Sequence, residues 1–235
     1  MENRHELTAK KELKMEASVM LQAKNCTLYL PTGAVDYIRF GNGSKTLVMI
    51  PGVGDGLKTV KGMALPFAIL YRSLAKEFTV YVFSRRRILT KGTTTRDMAE
   101  DLNSAMEALG LTSALVVGVS QGGMIAQWLA IDHPDKVGKL VLTVTLSRPN
   151  PTAQSVIDGW IEMADRGDYK GIMVDTAERS YSEKRLKQAR LEYRLLGNVG
   201  KPRFFYRFQI QAASCLTHDA YDQLYCITCP TLVIG

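Results

Sequence analysis

The chain has 235 residues, 46% of them hydrophobic and 23% charged, which is ordinary globular material for one sizeable core rather than two. No apolar run of about 18 residues is present to cross a bilayer, and the first two dozen residues mix acids and bases without an apolar stretch; neither membrane attachment nor a signal peptide is indicated, and a cytoplasmic location is expected. The net charge of +7 sits almost wholly between Glu178 and Arg207, where nine bases face three glutamates; with no zinc, helix-turn-helix or RNP-like motif beside them, they read as a solvated helix face, and no nucleic-acid partner is expected.

In chain order, residues 1–25 read as an N-terminal extension, within which Met15 or Met20 is as good a start as Met1. Residues 26–40 alternate apolar and polar across a Pro-Thr-Gly turn, the pattern of an antiparallel hairpin. Short, nearly continuous apolar runs follow at 46–50, 78–83, 114–119, 139–145 and 231–235, and such runs fit strands of a parallel sheet buried on both faces. Helical spacing fills 62–76, 95–109 and 121–132 between them. Strand and helix therefore alternate, which predicts a three-layer α/β architecture with a mostly parallel sheet and right-handed crossovers. From Pro151 to about Ala213 the rhythm breaks into helical patterns alone. The domain reading is thus a core over 26–147 and 214–235, with a helical cap inserted at 148–213. Cys26, Cys215, Cys226 and Cys229 are too sparse for a disulfide scaffold and read as packing thiols; no metal and no cofactor is expected.

The chemistry concentrates in Leu115–Ala130, where a buried strand runs through Gly118-Val119-Ser120-Gln121-Gly122 into an amphipathic helix. In a nucleophile elbow the serine stands on a strained strand-to-helix turn, so its neighbours must be small, as Gly118 and Gly122 are, while Gly123 lets the helix approach closely. The helix N-terminus behind Ser120 favours developing negative charge. Gly-x-Ser-x-Gly alone is a weak signal, and its position between strand and helix supplies the specificity. Strand 46–50 ends in Pro51-Gly52-Val53-Gly54-Asp55-Gly56, a loop rich enough in glycine to bring backbone amides to a bound group. The elbow mechanism needs two oxyanion donors, and the backbone N–H groups of Gln121 and Val53 are the candidates. The competing reading, a dinucleotide loop, would need glycine where Leu57 stands.

At these residues the sequence resembles the α/β-hydrolase superfamily, in particular its cap-bearing bacterial esterase, lactonase and perhydrolase branch. The resemblance runs from about Thr27 to Gly235 and rests on VGVSQGG, the Pro-Gly turn, HPDKVGKLVLT (133–143) and CPTLVIG (229–235). Pro51 stands where the family usually carries histidine, a departure that touches the loop's shape more than a backbone donor's role. The resemblance implies a serine hydrolase acting on a small ester-type substrate. It also implies an acid and a histidine downstream of Ser120. The acid's usual place follows the strand 231–235, with which the sequence stops, and LSRPNPTAQ (146–154) offers no carboxylate at the alternative place. His133 ends the nucleophile helix, His218 precedes the last strand, and His5 lies in the extension; none is placed to serve as base. Two expectations compete: a hydrolase lacking its final strand and helix, weak or inactive as it stands, or a non-catalytic binding protein on the same fold. Three more accompany them: a strained backbone at Ser120, bases of segment 178–207 lining the pocket entrance and favouring anionic substrates, and self-association through the exposed C-terminal edge.

Overall fold

The computed structural model describes residues 22–197 and 199–235. His5, Met15 and Met20, with most of the 1–25 extension, lie outside them. The first strand begins at Lys24, just inside the range assigned to that extension.

The chain forms β1 (Lys24–Leu30), β2 (Gly33–Phe40), β3 (Lys45–Ile50), α1 (Ala64–Leu70), β4 (Phe78–Arg86), α2 (Thr95–Ala108), β5 (Ala114–Val119), α3 (Gln121–Asp132) and β6 (Val137–Thr143). Then come α4 (Pro151–Asp165), α5 (Tyr169–Ser180), α6 (Glu183–Leu196), α7 (Tyr206–Leu216) and β7 (Thr231–Ile234). The sheet order is β1-β2-β4-β3-β5-β6-β7, antiparallel at β1/β2 and β2/β4 and parallel elsewhere. No helix of the described residues is long and apolar enough to cross a membrane.

The continuous apolar run of β5 suggested burial on both faces, and the structure shows an alternation instead. Ala114, Val116 and Gly118 are buried against α2 and α3, whereas Leu115, Val117 and Val119 are only partly covered. On that second face α1 supplies Ala64 and Ala68 to a smaller cluster with Ile38, Phe40, Leu47, Val80 and Val82, nearer the β2–β4 side. All four residues of β7 are exposed. Helix α3 is the reverse case: expected to be amphipathic, it is buried without a break from Gln121 to Ala130, because α2, β3, β5, β6 and the turn Tyr221–Cys226 enclose it. A helix apolar all round belongs in a core.

Two boundaries also move. The run 139–145 ends as a strand at Thr143, because Val144 takes φ 44°, which a β-branched residue rarely adopts. The proposed cap edge at 213/214 falls inside α7, a continuous helix that packs on the loop after β3: a β-carbon on Gly56 would lie 2.5 Å from the Phe208 Cα. Helices α4 and α5 start at side-chain caps, Asn150 accepting from the Ala153 N–H and Asp168 from the Gly171 N–H.

Candidate active site

Ser120 stands between β5 and α3 with φ 53° and ψ −120°, the strained turn expected of an elbow. The space around it explains the glycines. A β-carbon on Gly122 would lie 2.0 Å from the Ile50 carbonyl oxygen, and one on Gly118 would lie 2.5 Å from the Gly122 oxygen. The turn is tied from both sides: the Ser120 N–H donates to the Thr143 carbonyl at 2.9 Å, and the Thr145 hydroxyl donates to the Ser120 carbonyl at 2.7 Å. Gly123 packs on that same Thr145.

The loop after β3 crosses directly over the serine, since a β-carbon on Gly52 would lie 3.8 Å from Ser120 Oγ. Val53 opens a 3₁₀ turn and Gln121 opens α3, so both N–H groups belong to first turns, where no intrahelical acceptor exists. Ser120 and Val53 line one cavity of about 200 Å³ beneath α4 and α7, walled by Met124, Leu146, Val156, Ile157 and Trp160 among others. None of its lining residues is charged. Of the bases of 178–207 expected at the entrance, none of those described is among the lining residues. Arg179, Arg185 and Arg190 pair with Asp175, Glu192 and Glu178 on the surface of α5 and α6.

Arg207, counted among those surface bases, is buried and works elsewhere. Its Nη2 meets the Asp55 carboxylate at 2.5 Å, with side chains 9% and 1% exposed. It also donates to the carbonyls of Asp55, Arg85 and Arg86. The Asp55 Oδ2 further accepts from the Arg85 N–H at 3.1 Å and from Gln211 Nε2 at 3.3 Å. Arg85 in turn donates to the Pro51 carbonyl and, at 3.0 Å, to Gln121 Oε1. The Gln121 amide completes the circuit to α7, donating to the Gln211 carbonyl at 2.6 Å and to Ser214 Oγ at 3.1 Å. Burial pushes the Arg85 guanidinium down to about 10, with Asp55 opposing the shift. Sequence reading missed this network. It fastens the loop of Val53, the N-terminus of α3 and the helix α7 to one another.

The described imidazoles are engaged away from the serine. His133 caps the far end of α3, roughly 18 Å along a 12-residue helix, and meets Glu100 Oε1 at 2.7 Å. His218 is buried edge-on to Trp128. Gln127 Nε2 donates to the Leu146 carbonyl, which turns its Oε1 toward His218 Nε2 at 3.3 Å, while Thr95 Oγ1 lies 2.8 Å from His218 Nδ1. The neutral tautomer with the proton on Nε2 satisfies both contacts. Burial accordingly pushes His218 down to about 4. Neither histidine lines the Ser120 cavity. Among the thiols, Cys215 lines that cavity, donates to the Gln211 carbonyl, and is pushed up to about 12 by burial. Cys229 packs at the edge of the main core.

The family described as the alpha/beta hydrolase fold matches the sequence over residues 45–169, a span that contains both the loop after β3 and the turn at Ser120. The chain belongs to this family. Among its relatives is a protein of Caulobacter segnis provisionally named as the carbamate hydrolase RutD, 33% identical over 147 residues, which are 57% of this chain and 52% of that one. The chain spans about half the length of the curated relatives it matches first. Two solved structures share the hydrolase fold. MGS-M2, an alpha/beta hydrolase enzyme from a Medee basin deep-sea metagenome library, superposes with a TM-score of 0.76 at 22% identity, over 89% of this chain and 78% of its own. The enol-lactonase of Burkholderia xenovorans LB400 gives 0.73 at 17% identity, over 89% and 80%.

Proposed function

We propose that this hydrolase-fold protein is built for serine hydrolysis of ester-type bonds, with Ser120 as nucleophile and the backbone N–H groups of Gln121 and Val53 as oxyanion donors. The observation that carries the reading is the left-handed backbone of Ser120 at the N-terminus of α3, opening on a cavity it shares with Val53. In such a site Ser120 Oγ attacks the carbonyl carbon, the carbonyl oxygen becomes an oxyanion between the two N–H groups, and the leaving group departs with a proton to give an acyl-serine that water hydrolyses. The serine proton needs an oriented imidazole to receive it. With His133 and His218 committed elsewhere, the described residues support only faint turnover, and efficient turnover requires an imidazole from outside them. A second reading, a binding protein on the hydrolase fold, is favoured by that same commitment of both histidines.

Labelling with a fluorophosphonate probe tests the proposal. Slow modification confined to Ser120, lost in Ser120→Ala, supports the nucleophile; no modification at any time, or modification of another serine, supports the binding protein. Rapid modification would mean that a histidine reaches the elbow, and separate replacement of His5 and His218 would identify which.

A further inference from the structure

The cavity under the cap carries a statement about substrate class. Its volume is about 200 Å³. An apolar cavity of about 150 Å³ holds benzene, so this one has room for roughly six to eight carbons. The wall is made by Met124, Leu146, Val156, Ile157, Trp160 and Ala212. Its polar members are Ser120, Thr145 and Cys215, and the last two already donate, Thr145 to the Ser120 carbonyl at 2.7 Å and Cys215 to the Gln211 carbonyl at 3.4 Å. Away from Ser120 and the two N–H groups beside it, a charged or hydroxyl-bearing group against this wall would surrender its water without gaining a partner, at a cost of several kcal/mol in an apolar site. An alkyl chain gains with each methylene it buries.

One wall residue is held rather than merely packed. The Trp160 indole N–H on α4 donates to Asp175 Oδ2 on α5 at 2.7 Å, and Asp175 accepts Arg179 Nε at 2.7 Å and Nη2 at 3.0 Å. The Arg179 guanidinium keeps the Asp175 carboxyl below its ordinary value, so the acceptor stays ionised. A charge-assisted bond of this kind fixes the plane of the ring. Trp160 is therefore a wall residue of fixed orientation, and Asp175 is the residue that positions it.

We propose that the group this protein holds against Ser120 is an uncharged, unbranched or lightly branched apolar acyl chain of about six to eight carbons, with Trp160 setting the upper limit. The assignment rests on Ser120 being the group a substrate meets. It separates this chain from its relative named for carbamate, a small polar anion that would neither fill the cavity nor find a cationic partner among the lining residues.

The test is binding rather than turnover, on the 235-residue chain carrying Ser120→Ala, so that it does not depend on the serine reacting. Straight-chain alcohols from ethanol to decanol, with urea as a small polar probe, are titrated by calorimetry and by ligand-observed NMR. Affinity is expected to rise about fourfold per methylene up to six to eight carbons and then to fall, with urea not bound. Trp160→Ala is expected to move the optimum to longer chains, and Asp175→Asn to blunt the cut-off while keeping the indole. Ala153→Phe, on the cavity wall, is expected to shorten the optimum should Trp160→Ala not fold. Affinity independent of chain length, preferential binding of urea, or a cut-off unmoved by both Trp160→Ala and Ala153→Phe would overturn the assignment. Fluorophosphonate labelling of the parent chain reports separately on the nucleophile. Labelling without a chain-length cut-off sinks only the acyl pocket, and a cut-off without labelling sinks only the hydrolase reading.

Discussion

Replacing Arg207 by methionine removes the cation from a carboxylate only 1% exposed while keeping most of the side-chain volume. The Asp55 carboxylate would retain the Arg85 N–H and the Gln211 amide, at 3.1 and 3.3 Å, and the Arg85 guanidinium as a neighbouring cation that does not pair with it directly. Three backbone carbonyls, of Asp55, Arg85 and Arg86, would lose their donor as well. Breaking a buried pair by removing one partner costs about 3–5 kcal/mol. That is a large share of the 5–15 kcal/mol typical of a whole domain, and the melting temperature should fall by roughly 6–20 °C. Arg207→Lys keeps the charge without the fork that spans the carbonyls, so it should cost less. Asp55→Ala/Arg207→Met removes both members of the pair and leaves the Arg85 guanidinium as the remaining buried charge there, so the double variant should still be less destabilised than the sum of the singles by about 2 kcal/mol. Urea denaturation followed by circular dichroism measures the parent chain, Arg207→Met, Arg207→Lys, Asp55→Ala and the double variant. A loss below 1 kcal/mol for Arg207→Met, or additivity of the two singles, would refute the view that this pair fastens α7 to the loop after β3.

Gly122→Ala should be among the most disruptive single-methyl additions, because the new carbon would lie 2.0 Å from a backbone oxygen; soluble yield and melting temperature check it, and an unchanged melt would disprove the close approach. His218 gains its proton near 6.5 when unfolded and only near 4 when folded, so between those values the unfolded state holds the extra proton and stability falls as pH drops. The loss should approach about 3 kcal/mol by pH 4, and His218→Asn should flatten the slope between pH 6.5 and 4; an unaltered slope would place the effect elsewhere. We also propose self-association through β7, whose Leu232, Val233 and Ile234 are 55%, 68% and 48% exposed. Sedimentation should show concentration-dependent mass, reduced by Val233→Lys, and a monodisperse monomer at high concentration would contradict it.

The sheet and the strained turn at Ser120 were readable because they rest on local regularities. Apolar runs marked the strands, and two glycines flanking Ser120 marked a place where a strand and a helix nearly touch. The errors arose where a local pattern has two spatial meanings. A continuous apolar run does not distinguish a strand covered on both faces from β5, whose odd positions are only partly covered. Val144 continues an apolar run and yet turns left-handed, because the chain must leave β6 beside the elbow. Arg207 looked like its basic neighbours, since nothing local marks a charge whose partner, Asp55, lies 152 positions earlier. Trp160 and Asp175 sit on two helices, α4 and α5, and only the folded structure shows that they meet. The one available hint at Arg207 was its place between Tyr206 and Phe208, in a stretch with core-like apolar spacing rather than in the charged run before it.

We propose that Ser120 is a competent nucleophile with no proton acceptor beside it among the described residues. Hydrolysis of an activated ester with an apolar acyl chain, measured across increasing concentrations of free imidazole, tests it most directly. Expected is a faint basal rate and a saturable rise with imidazole, absent from Ser120→Ala beyond the reaction of imidazole with the ester in solution. An equal response of the parent chain and Ser120→Ala would contradict the claim, and so would a fast basal rate that imidazole leaves unchanged.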